Sequence, residues 1–185
     1  MRTLAITQNI TVEGAVEMIG DWFHPQGQAD GDGSDLLEEL RRQDSASDAF
    51  LVGRRTFEDL RGYWRDLRDD ATGIGTYLNQ VDKYVVSRTL TEPQWAHTTV
   101  LTGIDDVRAL KEAQGKDIVV TGSIRLCHAL IGAGLVDEYR LITYPVVQGR
   151  GRRLFPEGYE VPRLDLVDAK RLGGGITFSR YRTSP

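Results

Sequence analysis

The run Ala49-Phe50-Leu51-Val52-Gly53-Arg54-Arg55-Thr56-Phe57-Glu58 reads as a buried strand that stops at a glycine and opens straight into a helix. The first turn of a helix leaves backbone N–H groups without intrahelical acceptors and carries the positive end of the helix dipole, so a junction of this kind suits a phosphate. Gly53 lets an anion approach the backbone, Thr56 offers a hydroxyl, and Arg54 and Arg55 offer forked donors that match phosphate oxygens. Taken alone, the same residues also describe an ordinary helix start with solvated arginines.

Two further stretches have the same character. In Tyr84-Val85-Val86-Ser87-Arg88 a hydroxyl and a guanidinium follow a strand end, placed either to grip a second phosphate or to serve as a turn residue and a surface charge. In Ile118-Val119-Val120-Thr121-Gly122-Ser123-Ile124 another apolar strand ends in a glycine and starts a helix, bringing backbone close to a pyrophosphate. Neither the six-residue dinucleotide fingerprint nor a Walker loop is present. Three such junctions form a constellation, because ligands of open α/β sheets sit in the crevice at the carboxyl ends of the strands.

The elements that must position these junctions can be read from periodicity. Thr3 to Gln8, Ala49 to Gly53, Lys83 to Ser87, Thr98 to Leu101 and Asp117 to Thr121 read as strands. Helices lie between them: Leu36, Leu37 and Leu40 after the cap-like Ser34, Val107 and Leu110 after Asp105, and Leu126, Leu130 and Ile131 ending at Gly132 and Gly134. Such alternation predicts a mostly parallel sheet with helices on both faces. The last third differs. Glu138 to Tyr144, Arg163 to Leu172 and Ile176 to Arg182 are strand-like, and Gly173-Gly174-Gly175 joins the final pair as an antiparallel hairpin. Two long loops, Ile10 to Gly33 and Pro145 to Pro162, are of a length usually reserved for function.

At 185 residues the chain is expected to form one domain, residues 1–185, with a core that needs no staples. Its 23 basic and 27 acidic residues give a net charge of -4, which calls for neither nucleic acid nor an anionic membrane surface. Cys127 is the sole cysteine; it excludes an internal disulfide and sits in a helical apolar pattern. No run reaches membrane-spanning length and the amino terminus is too short in apolar residues for a signal peptide, so a cytoplasmic protein is expected. His24, His97 and His128 have no metal-ligand spacing, and no metal is expected.

These motifs, in this order, resemble the dihydrofolate reductase superfamily, and especially the branch similar to the carboxy-terminal reductase domain of the bifunctional riboflavin-biosynthesis enzyme. Gly53-Arg54-Arg55-Thr56-Phe57-Glu58 is similar to the family's Gly-Arg-Lys/Arg-Thr-aromatic-Glu segment, Val86-Ser87-Arg88 to its Leu/Val-Ser-Arg, and Thr121-Gly122-Ser123 to its glycine turn. Gly134-Leu135-Val136-Asp137-Glu138, Pro145, Gly149-Arg150-Gly151 and Leu154-Phe155-Pro156 resemble the riboflavin-type branch in particular. Thr11-Val12-Glu13-Gly14 stands where that branch carries Ser-Leu-Asp-Gly.

The resemblance implies a three-layer dihydrofolate reductase-like α/β fold with a central, mostly parallel mixed sheet. It implies NADPH as cofactor, held by Gly53, Arg54, Arg55, Thr56, Ser87, Arg88, Thr121, Gly122, Ser123 and Ile124, with Arg54 and Arg88 favouring NADPH over NADH. The reaction would be hydride transfer to a small heterocycle, either pteridine- or dihydrofolate-like or a ribosylamino-uracil, with Ile10 to Gly33 as a lid. Asp35 is the candidate for the first-helix carboxylate of dihydrofolate reductases, or a residue that complements the helix dipole. Trp22, Leu60 and Thr143 are candidates to line the substrate side, and Phe23 to join Trp22. Arg150, Arg152 and Arg153 form a basic loop, solvated or in contact with a phosphorylated substrate. A homodimer through the late strands at Tyr139, Leu141 and Tyr144 is expected by analogy. A non-catalytic module that senses NADPH in the same crevice is the alternative, since a fold does not fix a function.

Overall fold

Strand residues alternate between two faces, and here the two faces find different helices. The computed structural model describes residues 1–24, 33–160 and 163–184. The elements are β1 (Leu4–Thr11), α1 (Ser34–Ala46), β2 (Ser47–Gly53), α2 (Arg54–Trp64), α3 (Ile74–Gln80), β3 (Asp82–Val86), β4 (Thr98–Leu101), α4 (Ile104–Glu112), β5 (Asp117–Val120), α5 (Ile124–Gly132), β6 (Glu138–Tyr144), β7 (Leu164–Arg171) and β8 (Thr177–Thr183). The strands form one eight-stranded sheet in the order β4-β3-β2-β5-β1-β6-β8-β7. All neighbouring pairs are parallel except those of β8, which runs antiparallel to both β6 and β7.

On β2, Ala49 and Leu51 pack with Val107 of α4 and with Leu126, Cys127 and Leu130 of α5. Phe50 and Val52 turn the other way, onto Phe57 and Trp64 of α2 and Leu78 of α3. On β6, Tyr139 and Leu141 share the first face, whereas Ile142 and Tyr144 meet Leu36 and Leu40 of α1. The result is three layers, with α4 and α5 on one face and α1, α2 and α3 on the other.

Three features depart from the sequence reading. β1 runs on to Thr11, because Asn9, Ile10 and Thr11 pair with Ile142, Thr143 and Tyr144 of β6. Helix α3 has no counterpart in that reading; its seven residues hold three apolar positions packed on the core, Ile74, Tyr77 and Leu78, too few for a periodic signal. β6 is an interior strand between β1 and β8, and Tyr139 and Tyr144 are buried, so these side chains belong to the protein's own core rather than to a partner.

A charged cluster on β6 is partly buried. Arg140 of β6 donates through Nη2 to Asp117 Oδ2 at 2.5 Å and to Glu138 Oε2 at 3.0 Å, and Arg182 of β8 donates to Glu138 Oε1 at 3.0 Å. Burial alone would raise the pKa of Glu138, but the hydrogen bonds from Arg182 and Arg140 outweigh it and hold the carboxyl below its ordinary range.

Candidate functional site

Because β1, β2, β3 and β5 are parallel and adjacent, the chain leaves β2, β3 and β5 at one edge of the sheet. The three junctions singled out in the sequence therefore lie side by side. Gly122 has φ +56° and Ser123 comes next at φ 49°, ψ 44°, so the chain turns through two left-handed residues before α5. A Cβ at Gly122 would lie 3.0 Å from Thr56 Cγ2, which explains the glycine.

The junctions are hooked to one another. Gly53 N–H donates to Ser123 Oγ at 3.0 Å, and Ser123 N–H donates to Thr56 Oγ1 at 3.0 Å. Gln8, buried on β1, donates through Nε2 to Gly122 O at 2.7 Å and accepts from Gly122 N–H at 3.2 Å. The N–H groups of Gly53, Gly122 and Ser123 thus build the crevice. The first turns of α2 and α5, neither with a side-chain cap, supply the backbone donors that face outward from it.

The arginines divide in the same way. Arg54 is braced by Glu58 Oε1 at 2.8 Å and by Thr89 Oγ1 at 2.6 Å, which ties α2 to the segment after β3. Ser87 Oγ accepts from the Thr89 and Leu90 N–H groups and so shapes that segment's turn. Arg55 and Arg88 are exposed and make no hydrogen bond or ion pair among the described residues. Ile124 is buried in the core beneath α5.

Beside this edge, on the α1 face of the sheet, lies a cavity of about 920 Å³. Thr7 and Asn9 of β1, Phe50 of β2, Val119 of β5 and Tyr144 of β6 form its floor. Residues of α1, α2 and α3 form its walls, Gly173, Gly174 and Ile176 of the β7–β8 turn close one side, and Thr56, Thr121 and Gly122 connect it to the junctions. A volume of this order accommodates a small ligand together with the reactive end of a cofactor.

Trp22 and Leu60 both line the cavity. The Trp22 ring stands edge-on to Tyr144 at 5.2 Å, with Phe23 6.0 Å from the same tyrosine, and its Nε1 donates to Gln148 Oε1 at 2.9 Å. Thr143 does not line it. Its neighbours Ile142 and Tyr144 face α1, so Thr143 shares the opposite face with Tyr139 and Leu141. Asp35 lines the cavity, but its Oδ2 accepts Gly173 N–H at 2.7 Å and its Oδ1 accepts Leu36 N–H at 2.7 Å. It fastens the start of α1 to the β7–β8 turn. Of the lid expected from Ile10 to Gly33, residues 25–32 lie outside the described residues; the part before them is held by Val16 N–H to Arg152 O at 2.9 Å and by Arg152 to Glu17 at 2.7 Å. Arg150 and Arg153, in the Pro145 to Pro162 loop, are exposed.

Several cavity residues carried no motif: Asn9, Thr7, Gln43, Asp44, Tyr77 and Tyr144. The polar triplet Thr7-Gln8-Asn9 inside a buried strand was the available signal, since polar groups enter a central strand only when something satisfies or uses them. Burial raises the phenols of Tyr77 and Tyr144 to about 12 and the carboxyl of Asp44 to about 6. An acid whose folded pKa is raised costs stability once it ionises above that value. Asp44→Asn is therefore expected to raise the melting temperature at pH 8 and to leave it nearly unchanged at pH 4, as thermal scans at the two pH values would show. Among the described residues no helix is long and apolar enough to cross a membrane, and no group of His, Cys, Asp and Glu could hold a metal.

Residues 5–178 match the RibD C-terminal domain family. The chain belongs to that family. Uncharacterized protein YyaP of Bacillus subtilis (strain 168) is 33% identical over 133 residues, covering 70% of each chain. Among solved structures, a protein of Shewanella sp. PV-4 named for riboflavin biosynthesis superposes with a TM-score of 0.73 at 16% identity, over 99% of both chains. Dihydrofolate reductase from Enterococcus faecalis, complexed with NADP(H), superposes with a TM-score of 0.64 at 16% identity, over 99% of this chain and 97% of the other. As a RibD C-terminal domain, the chain has a reductase-type, dihydrofolate reductase-like fold, with its cavity and its three junctions on the carboxyl edge of the sheet.

Proposed function

We propose that this chain is a reductase that uses NADPH to reduce a small heterocyclic substrate of the pteridine or pyrimidine class. The observation that carries the reading is the meeting of three strand-end junctions at one edge of the sheet, two of them at the rim of one cavity. The residues fit a dinucleotide phosphate: bare backbone at Gly122, two helix starts without side-chain caps, and exposed arginines with unused donors. The Enterococcus faecalis neighbour, complexed with NADP(H), shares the fold and supports the choice of cofactor.

In this reading Arg55 and Arg88 take the cofactor's phosphate charges, Arg54 holds the segment after β3 against α2, and Thr56, Thr121, Gly122 and Ser123 form the pyrophosphate crevice. When bound, NADPH supplies a hydride for an electrophilic ring carbon. Trp22, Phe23, Leu60 and Tyr144 wall that space and keep water from it, which holds the reacting partners at short range. Asp35 keeps the α1 wall and the β7–β8 turn together; both of its oxygens are engaged with backbone.

A fluorescence titration with NADPH, followed by NADPH consumption assays with dihydrofolate and aminopyrimidine substrates, tests the proposal. Absence of saturable NADPH binding would refute it, and binding without turnover of any candidate would favour the sensor. Arg88→Ala is expected to weaken NADPH about tenfold, or ~1.4 kcal/mol, with little effect on NADH, as parallel titrations would reveal.

A further inference from the structure

We propose that the end of the cavity between α1 and α3 recognises an amine, amidine or N–H-bearing group of the substrate, with Asp44 as its acceptor. This deepens the reductase reading, on which it rests, by naming the chemistry at one end of the molecule to be reduced. Two carboxylates line the cavity among the described residues, and they differ in their use. Asp35 spends both oxygens on backbone N–H groups. The Asp44 carboxylate accepts no hydrogen bond from any described residue.

Among the described residues its surroundings offer nothing to complete it. The neighbouring Gln43 is committed, accepting from Thr7 Oγ1 at 3.1 Å and donating to Glu39 Oε1 at 3.0 Å. The Tyr77 hydroxyl lies 2.9 Å from Ser47 Oγ. Helix α3 carries no charged residue, Asp48 is paired with Arg2, and Asp70 accepts from Thr72 and Gly75. Arg41, one turn earlier on α1, is exposed and lines only the shallower groove outside the two helices. Asp44, Leu37, Leu40, Ile74 and Tyr77 line both that groove and the cavity, so the α1–α3 gap joins them.

A half-buried carboxylate without a protein partner bears part of the cost of desolvation, and a ligand that brings N–H donors or positive charge offsets it. An anionic tail entering the same gap meets repulsion instead. The preferred substrate therefore presents its cationic or N–H-rich end to the α1–α3 gap.

Three probes with one skeleton decide the matter: 3-phenylpropylamine, 3-phenylpropanol and 3-phenylpropanoate. Their binding at pH 7.5 is followed through the fluorescence of Trp22 and Trp64, which line the cavity. Wild type is expected to bind the amine at least ~10-fold more tightly than the carboxylate, with the alcohol between, a difference set by one charge–charge contact at reduced dielectric. The isosteric Asp44→Asn variant is expected to reduce that preference to about threefold or less, with an unchanged far-ultraviolet dichroism spectrum and unchanged NADPH affinity. Equal binding of the three probes to wild type, no saturable binding of the amine, or a preference that survives in Asp44→Asn overturns the assignment. Failure of wild type to bind NADPH counts against the reductase reading and leaves the probe comparison intact.

Discussion

Gly122→Val is expected to weaken NADPH binding on the order of a hundredfold, or ~2.7 kcal/mol. Valine is poorly tolerated at φ +56°, and its Cβ would sit 3.0 Å from Thr56 Cγ2. Relief requires Thr56 to move, which breaks the hydrogen bond that its Oγ1 accepts from Ser123 N–H. Ser123 then loses the placement by which its Oγ accepts Gly53 N–H. One substitution so unhooks the starts of α2 and α5 together. Strain at such a position costs about 1–3 kcal/mol of stability, so urea unfolding must accompany the titration to separate lost fold from lost site. Gly132→Ala is the control: that glycine has an ordinary φ and open space around its missing Cβ, and the alanine should leave binding and stability within about 1 kcal/mol of wild type.

Arg140→Ala is expected to lower the unfolding free energy by about 3–5 kcal/mol, the usual result of removing one partner from a buried ion pair. Arg140 and Glu138 are 4% and 3% exposed, so water cannot replace the lost guanidinium. Asp117 loses its ion-pair partner, and Glu138 keeps Arg182 alone. The pH dependence has a definite sign. The folded pKa of Glu138 lies below its ordinary value of 4.5, so its stabilisation is present above that pH and is lost as pH falls through the folded value. Wild type should weaken over that acid range and Arg140→Ala should weaken less, which urea midpoints at pH 7 and pH 4 would measure.

The junctions were legible because their signals are local. An apolar run, a glycine and a helix start within ten residues fix both the strand end and the helix after it, as at Gly53 and Gly122. The role of Gln8 was not legible, because its partner Gly122 lies 114 residues away and only the parallel pairing of β1 with β5 brings them together. Thr143 shows a different limit. Its strand was readable, but the parity that sends Tyr144 into the cavity and Thr143 away from it is set by which helices cover each face. Asp44 depended on α3, a seven-residue helix that starts after Gly73 in the left-handed region and contains Gly75. Glycine weakens helix propensity, so the packing of Leu78 and Tyr77 against α2 and β2, rather than periodicity, explains that helix.

The position of β1 shapes how the molecule is made. It lies between β5 and β6, and its first partners, Ile118 and Glu138, are translated more than a hundred residues later. At about 5–20 residues per second a nascent chain carries this strand with both edges open for on the order of ten seconds. Leu4-Ala5-Ile6, fully buried in the finished sheet, is then an apolar run with unpaired backbone on both sides. Thr7-Gln8-Asn9 interrupts it. In the finished protein Gln8 holds Gly122 while Thr7 and Asn9 floor the cavity, so until β5 and β6 emerge the site's own central strand is the one left open to pairing with another chain.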